Sequence, residues 1–166
     1  MRKLFLLLMV VCLACSLSAS AKSYTLQNDK VKVVVGKKGE LVELRNLTTG
    51  HNYASGGYLW RMYYDTHDEQ EIEIVGGEQT PKVEQKDGAI SLAYNGLLVR
   101  GKLQNMQLKL TISLEGENVR FASEMQNRVE HTVIRELQYP LVRNAQLPDD
   151  HNLITAADSG QFYENP

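Results

Sequence analysis

The chain has 166 residues, a net charge of −2 at neutral pH and only two cysteines. This weak acidity gives no reason to expect nucleic acid or an anionic membrane as a partner. Both cysteines, Cys12 and Cys15, lie in the N-terminal apolar segment, so a chain that has lost this segment has no thiol for catalysis or zinc binding.

The N-terminal residues have the pattern of a secretory signal peptide. Two basic residues precede the apolar run LFLLLMVVCLAC, which is short for a membrane-spanning helix. Ala19-Ser20-Ala21 matches the small-x-small cleavage pattern. We therefore predict a signal peptide at residues 1–21, cleavage after Ala21 and an exported chain, periplasmic or extracellular, with no transmembrane segment. The residues before Cys15 fit a lipobox poorly, so lipoprotein anchoring is not predicted.

Residues 22–166 predict β structure throughout. VKVVV and ELVELRNL flank the loop GKKG, which is typical of a hairpin. Asp87-Gly88 and Asn95-Gly96 are both turn dipeptides, and they separate the runs TPKVEQ, AISLAY and LLVRGKL. A further hairpin is predicted where MQLKLTISL and NVRFASEM flank EGE. These successive hairpins predict a meander.

Period-two alternation within the runs indicates one buried face. LKLTISL places apolar side chains on one face, namely Leu108, Leu110, Ile112 and Leu114. About ten short strands at near-regular spacing, without helical periodicity, predict a single all-β domain, an antiparallel β-sandwich, over residues 22–166. The C-terminal stretch lacks a closing strand, so we expect this domain to be truncated at its C-terminal end.

An aromatic stretch, GYLWRMYYD, begins at Gly57 and holds the single tryptophan. As a strand it would place Tyr58, Trp60, Met62 and Tyr64 on one face and Leu59, Arg61, Tyr63 and Asp65 on the other. The first of these faces carries no charge, so we interpret Trp60 as a core residue.

The opposite face of this stretch supplies candidate sugar-binding residues. The Arg61 guanidinium can bond sugar hydroxyls or a uronate carboxylate, and the Tyr63 ring can stack on a pyranose. A solvated face with an Arg61–Asp65 ion pair remains the alternative. His51 follows Gly50 in a glycine- and asparagine-rich loop and is a third candidate ligand, unless it is a loop histidine without a role.

Motifs of catalysis, metal binding and cofactor binding are not recognisable in the sequence. DTHDEQEIE concentrates acidic residues but lacks the order of a calcium loop, and we interpret it as a solvated acidic loop. No two of the 20 acidic residues stand out as a glycosidase pair, and no nucleotide-binding loop is found. We therefore predict no catalytic residues, no metal and no cofactor.

The start of the predicted mature chain resembles a known family. YTLQNDKVKVVVGKKGELVELRNLTTGHNY is similar to the first hairpin of galactose-mutarotase-like β-supersandwich domains, at Leu26, Asn28, Gly39, Leu41, Leu44, Asn46, Thr49, Gly50 and Tyr53. The sequel YLWRMYY…EIEI resembles the N-terminal supersandwich of certain secreted bacterial glycoside hydrolases, in which a catalytic (β/α)8 barrel follows. The resemblance implies a partial supersandwich without that barrel and its carboxylates. The histidine and glutamate of true mutarotases have no matching motif here.

Three functions remain open from the sequence. The leading hypothesis is a non-catalytic N-terminal β-sandwich region of a secreted glycoside-hydrolase-like protein, with glycans as partners in polysaccharide utilisation. One alternative is a small sugar-acting enzyme of mutarotase or epimerase type, using His51 or His131 with a glutamate. The other is a surface structural or interaction module. Neither the glycan nor the oligomeric state follows from the sequence.

Overall fold

The protein is described here from a computed structural model. The structure describes residues 23–54, 56–143 and 145, together with the backbone of two further strands at 152–155 and 161–164. The predicted signal peptide at residues 1–21 therefore lies outside the described residues.

The described part of the chain is built from β-strands. In chain order they are β1 (Ser23–Gln27), β2 (Val31–Gly36), β3 (Leu41–Asn46), β4 (Arg61–Thr66), β5 (Ile72–Val75), β6 (Lys82–Lys86), β7 (Ala89–Val99), β8 (Lys102–Glu115), β9 (Asn118–Asn127), β10 (Thr132–Gln138), β11 (Asn152–Thr155) and β12 (Gln161–Glu164). One short 3-10 turn, Gly76–Glu78, follows β5. None of the described segments is a helix of the length and apolarity needed to cross a membrane.

All strand pairs described are antiparallel. They form the sheets β1-β2-β3, β10-β4-β5 and β6-β7-β8-β9, and β11 pairs with β12. The β2–β3, β6–β7 and β8–β9 hairpins lie where the sequence predicts them. At the β6–β7 turn, Asp87 and Gly88 have φ values of 51° and 74°, the positive values that a tight hairpin turn requires. The all-β, sandwich-like prediction is confirmed.

The hairpin predicted at Asn95-Gly96 is wrong. β7 runs without interruption through this dipeptide, and a β-bulge lies between Asn95 and Leu97, with Gly96 at φ 116°. The chain reverses later, at Arg100 and Gly101, whose φ values are 48° and 77°. A bulge and a tight turn both need a residue that tolerates positive φ, so the same glycine serves either.

A glutamine side chain supports β7 just beyond this bulge. Gln79 is 5% exposed, and its amide group bonds both backbone groups of Leu98. Leu98 N–H donates to Gln79 Oε1 at 2.8 Å, and Gln79 Nε2 donates to the Leu98 carbonyl at 2.9 Å. The pairing of β6 with β7 extends no further than Ala93. The Gln79 amide therefore bonds a part of β7 that has no partner in β6.

The apolar faces of the sheets enclose one core. Buried side chains from all three larger sheets belong to a single cluster, which includes Val33, Leu41, Trp60, Met62, Ile74, Ile90, Leu92, Leu97, Leu108, Leu110 and Ile112. The alternation predicted for β8 is confirmed, because Leu108, Leu110 and Ile112 are buried while Leu114 is half-buried. β9 contributes half-buried residues to the same side, Val119, Phe121 and Met125.

Trp60 belongs to this core, as the alternation predicts. It is 0% exposed and contacts Tyr94 edge to face, with ring centroids 5.2 Å apart. Its Nε1 makes no hydrogen bond of full geometry, but it lies close enough to the Tyr94 hydroxyl to oppose the rise that burial causes in the pKa of that group. The prediction was wrong for Leu59, which is also 0% exposed. β4 begins only at Arg61, so residues 57–60 do not alternate as a strand would.

Candidate functional site

The outer face of the β10-β4-β5 sheet carries two of the predicted site residues. Arg61 and Tyr63 are half-buried, while Met62 and Tyr64 between and beyond them point into the core. This part of the alternation is confirmed, because β4 is the central strand and buries one side only. Whether Arg61 and Tyr63 bind a ligand stays a prediction.

The neighbouring strands add polar side chains to this face. The register pairs Arg61 with Gln138 and Tyr63 with Glu136 on β10. On the other side, Tyr63 pairs with Glu73 on β5. Because side chains opposite each other in adjacent strands share a face, these five residues form one continuous surface.

A β-bulge in β10 brings another charged side chain close to the face. The register shifts between Ile134 and Glu136, so Arg135 is the extra residue. Its Nε lies 3.5 Å from Asp65 Oδ2. The Arg61–Asp65 ion pair considered as an alternative is therefore replaced by an Arg135–Asp65 pair. Asp65 also accepts a hydrogen bond of 2.9 Å from the backbone N–H of Glu71.

Hydrogen bonds tie the side chains of the face to each other. Arg61 Nε donates to Gln138 Oε1, and its Nη1 lies 3.6 Å from Glu73 Oε1. The Tyr63 hydroxyl donates to the same Glu73 oxygen at 3.1 Å. Gln138 Nε2 donates to Glu136 Oε1 at 2.6 Å. The result is a chain of contacts from Glu136 to Tyr63 that holds these groups in place.

Tyr63 lies under the Arg61 guanidinium. The Arg61 Cζ is 5.5 Å from the centroid of the Tyr63 ring, within the range of a cation–π contact. Partial burial raises the pKa of the Tyr63 hydroxyl, and so does its bond to Glu73, while Arg61 opposes both. Tyr63 is therefore a neutral hydrogen-bond donor at neutral pH.

An open depression of about 540 Å³ covers this part of the sheet. Its lining consists of Tyr63, Glu71, Arg135, Glu136 and Gln138. The volume is in the range of small-ligand sites. The lining is polar apart from the tyrosine ring, so it suits a ligand that is itself polar on most of its surface.

His51 lies elsewhere, in the loop that follows β3. Gly50 before it has a φ of 75°, which glycine adopts without strain. The His51 ring contacts Tyr53 edge to face at 4.7 Å, and its carbonyl accepts a hydrogen bond from Asn46 N–H. This loop belongs to the β1-β2-β3 sheet, so the structure separates His51 from Arg61 and Tyr63. His131, the other histidine considered, is exposed in the β9–β10 turn.

The segment interpreted as a solvated acidic loop extends from the end of β4 into β5. Glu71 and Glu73 are exposed, while Ile72 and Ile74 between and beyond them are buried. Glu69 in the preceding loop forms a bidentate ion pair with Arg100. Among the described residues, no three His, Cys, Asp or Glu side chains converge in a way that could hold a metal ion.

Comparison with known proteins gives little guidance. No protein-family model matches the chain, and no curated protein matches it. A solved structure of 4-alpha-glucanotransferase from Thermococcus litoralis is similar with a TM-score of 0.49 and 11% identity, over 64% of this chain and 22% of that enzyme. The chain thus spans about a fifth of that protein's length. A likeness at this level assigns neither family nor activity.

Sequence reasoning assigned Glu71 and Glu73 to a solvated acidic loop rather than to a site, and it missed Arg135, Glu136 and Gln138 altogether. These last three lie on β10, some 70 positions along the chain from β4, and reach the face only because β10 pairs with β4. Alternation around Ile134 and Leu137 is interrupted by the bulge, which removes the local signal that would mark an outer face.

Proposed function

We propose that the chain is a non-catalytic β-sandwich region of an exported glycoside-hydrolase-like protein and that it binds carbohydrate on the outer face of β10-β4-β5. The observation that carries this proposal is the depression of about 540 Å³ above Tyr63, in which polar side chains from β10, and Glu71 just before β5, surround one aromatic ring.

The chemistry of this face suits a sugar. A pyranose has apolar C–H faces that pack on an aromatic ring, and hydroxyls that donate and accept hydrogen bonds at its edge. Tyr63 supplies the ring, and Gln138 and Glu136 supply polar groups beside it. Because these side chains are already fixed by one another, binding would cost little side-chain entropy.

The export and the supersandwich architecture are parts of the same proposal. They are supported by the signal-peptide pattern that ends at Ala21 and by the LTTGHNY and LWR motifs. Determining the N-terminal residue of the protein recovered from a bacterial periplasm or culture medium tests the first part. We expect Lys22, and an uncleaved Met1 would contradict it.

The binding proposal is tested by calorimetric titration against a panel of soluble oligosaccharides. We expect Tyr63→Ala to weaken binding about tenfold or more, which corresponds to roughly 1.4 kcal/mol. Arg61→Ala should weaken it less, because Arg61 holds Gln138 in place but does not itself line the depression. Arg120→Ala and Tyr53→Ala are matched controls, because Arg120 pairs with Glu115 on another sheet and Tyr53 lies in the β3 loop.

The outcome separates a binding face from an ordinary solvated surface. All four variants should keep melting temperatures close to that of the parent. If no oligosaccharide binds, or if the control variants lose as much affinity as Arg61→Ala and Tyr63→Ala, the proposal fails.

A further inference from the structure

We infer that the outer face of β10-β4-β5 around Tyr63 prefers glycans that carry hydrogen-bond donors. It binds amino sugars more tightly than neutral sugars, and it repels uronates. This inference rests on the proposed function and names its ligand class. It follows from which hydrogen-bonding groups of the face are already engaged and from the charges that remain.

Several donors of the face are used within it. Arg61 directs its Nε to Gln138 and its Nη1 toward Glu73. The Tyr63 hydroxyl donates to Glu73, and the Gln138 amide donates to Glu136. A ligand that receives hydrogen bonds from these groups would have to break these contacts, whereas the Nη groups of Arg135 extend beyond its contact with Asp65.

The acceptors of the face are in surplus. Within the described residues, no hydrogen bond or ion pair engages Glu136 Oε2 or the side-chain carboxylate of Glu71, and both residues line the depression. An ionised carboxylate accepts at several positions and donates at none. The lining therefore has free carboxylate acceptors, which bind hydroxyl and ammonium groups, beside the Nη donors of Arg135.

The charge of the face points the same way. It holds four carboxylates and two arginines, the acids being Asp65, Glu71, Glu73 and Glu136 and the bases Arg61 and Arg135. Each arginine faces a carboxylate, at 3.6 Å for Arg61–Glu73 and 3.5 Å for Arg135–Asp65. Two negative charges are left without a counterion on the face, so a protonated amine gains and a uronate carboxylate is repelled.

The position of Arg61 also argues against uronates. A guanidinium often grips a carboxylate through its Nε and one Nη, and the Nε of Arg61 is bonded to Gln138. A uronate contact through the Nε of Arg61 would therefore require displacing Gln138.

The test compares three oligosaccharides of equal length, made of glucosamine, N-acetylglucosamine and galacturonate. Titrations are run at a pH of about 6, where ordinary Asp and Glu side chains are ionised, and at low salt. We expect the glucosamine oligomer to bind tightest and to lose affinity as salt rises. Glu136→Gln should weaken its binding about two- to fivefold, the range of an exposed ion pair.

Glu124→Gln is the matched control, because Glu124 is an exposed carboxylate on β9 that pairs with Lys109 at 3.1 Å. Tightest binding of glucosamine, reduced by Glu136→Gln and not by Glu124→Gln, supports the inference. Equal binding of the two hexosamine oligomers, or tightest binding of galacturonate, overturns it and leaves the proposed function standing. If the protein binds none of these three oligomers and no other glycan, the proposed function and the inference both fail.

Discussion

Replacing Trp60 tests the assignment of the two faces of β4. Trp60 is 0% exposed, packs on Tyr94 and lies so close to Gly76 that a Cβ on this glycine would be 2.8 Å from Nε1. Truncation to alanine removes a fully packed indole, which costs about 3–5 kcal/mol in the free energy of unfolding. For a domain of this size that corresponds to a melting temperature lower by roughly 10–20 °C.

Trp60→Phe should cost much less. Phenylalanine keeps a six-membered ring in the core and so preserves much of the packing that alanine removes. We expect Trp60→Phe to be more stable than Trp60→Ala by at least about 2 kcal/mol in the free energy of unfolding.

The stability of both variants is measured by thermal and urea unfolding monitored by circular dichroism. Arg61→Ala is measured beside them and should melt like the parent. If Trp60→Ala melts within about 2 °C of the parent, a shift too small for the loss of a buried indole, Trp60 is not the core residue described here. If Trp60→Phe is as unstable as Trp60→Ala, packing of the ring is not what stabilises the protein at this position.

Further predictions concern two glycines, a buried glutamine and a half-buried carboxylate. Alanine at Gly39 or at Gly50 would be strained, because both positions have positive φ. Of the two, only Gly39 would also place the new Cβ in a clash, 2.6 Å from a leucine methyl. Urea unfolding should therefore show Gly39→Ala to be less stable than Gly50→Ala by about 1–3 kcal/mol. Equal stabilities would contradict the close approach. Gln79→Ala leaves two backbone groups unpaired and should cost about 2–4 kcal/mol in the same assay, against less than about 1 kcal/mol for the exposed Gln85→Ala. Two basic neighbours lower the pKa of Glu43, so its stabilising effect is full above the ordinary glutamate pKa and is lost as pH falls through the lowered one. The difference in melting temperature between the parent and Glu43→Gln should therefore shrink between pH of about 6 and about 3; a constant difference would refute this.

Local patterns in the sequence determine much of the fold. Alternation identified the buried side of β8, and Asp87-Gly88 identified a turn, because both depend on neighbouring residues alone. The hairpin prediction at Asn95-Gly96 failed for a physical reason. Whether positive φ at a glycine reverses the chain or only bulges it depends on the partner strand, and β8 is long enough to pair with the whole of β7.

The candidate site was predictable only in part. Arg61 and Tyr63 follow from alternation within β4, because Met62 between them is buried. Glu136 and Gln138 join them through pairing between strands that are far apart in the chain. No local pattern encodes that pairing, and the bulge at Arg135 also breaks the period that would have marked the outer side of β10.

The contact between Gln79 and β7 bears on the behaviour of the protein at high concentration. Beyond Ala93 the edge of β7 has no partner in β6, and an unpaired edge is a template on which another molecule can add a strand and start aggregation. The side-chain amide of Gln79 occupies the N–H and C=O of Leu98 as a neighbouring strand would. One buried glutamine thus shields this stretch of β7, in which Leu98 is 41% exposed, from association with another molecule.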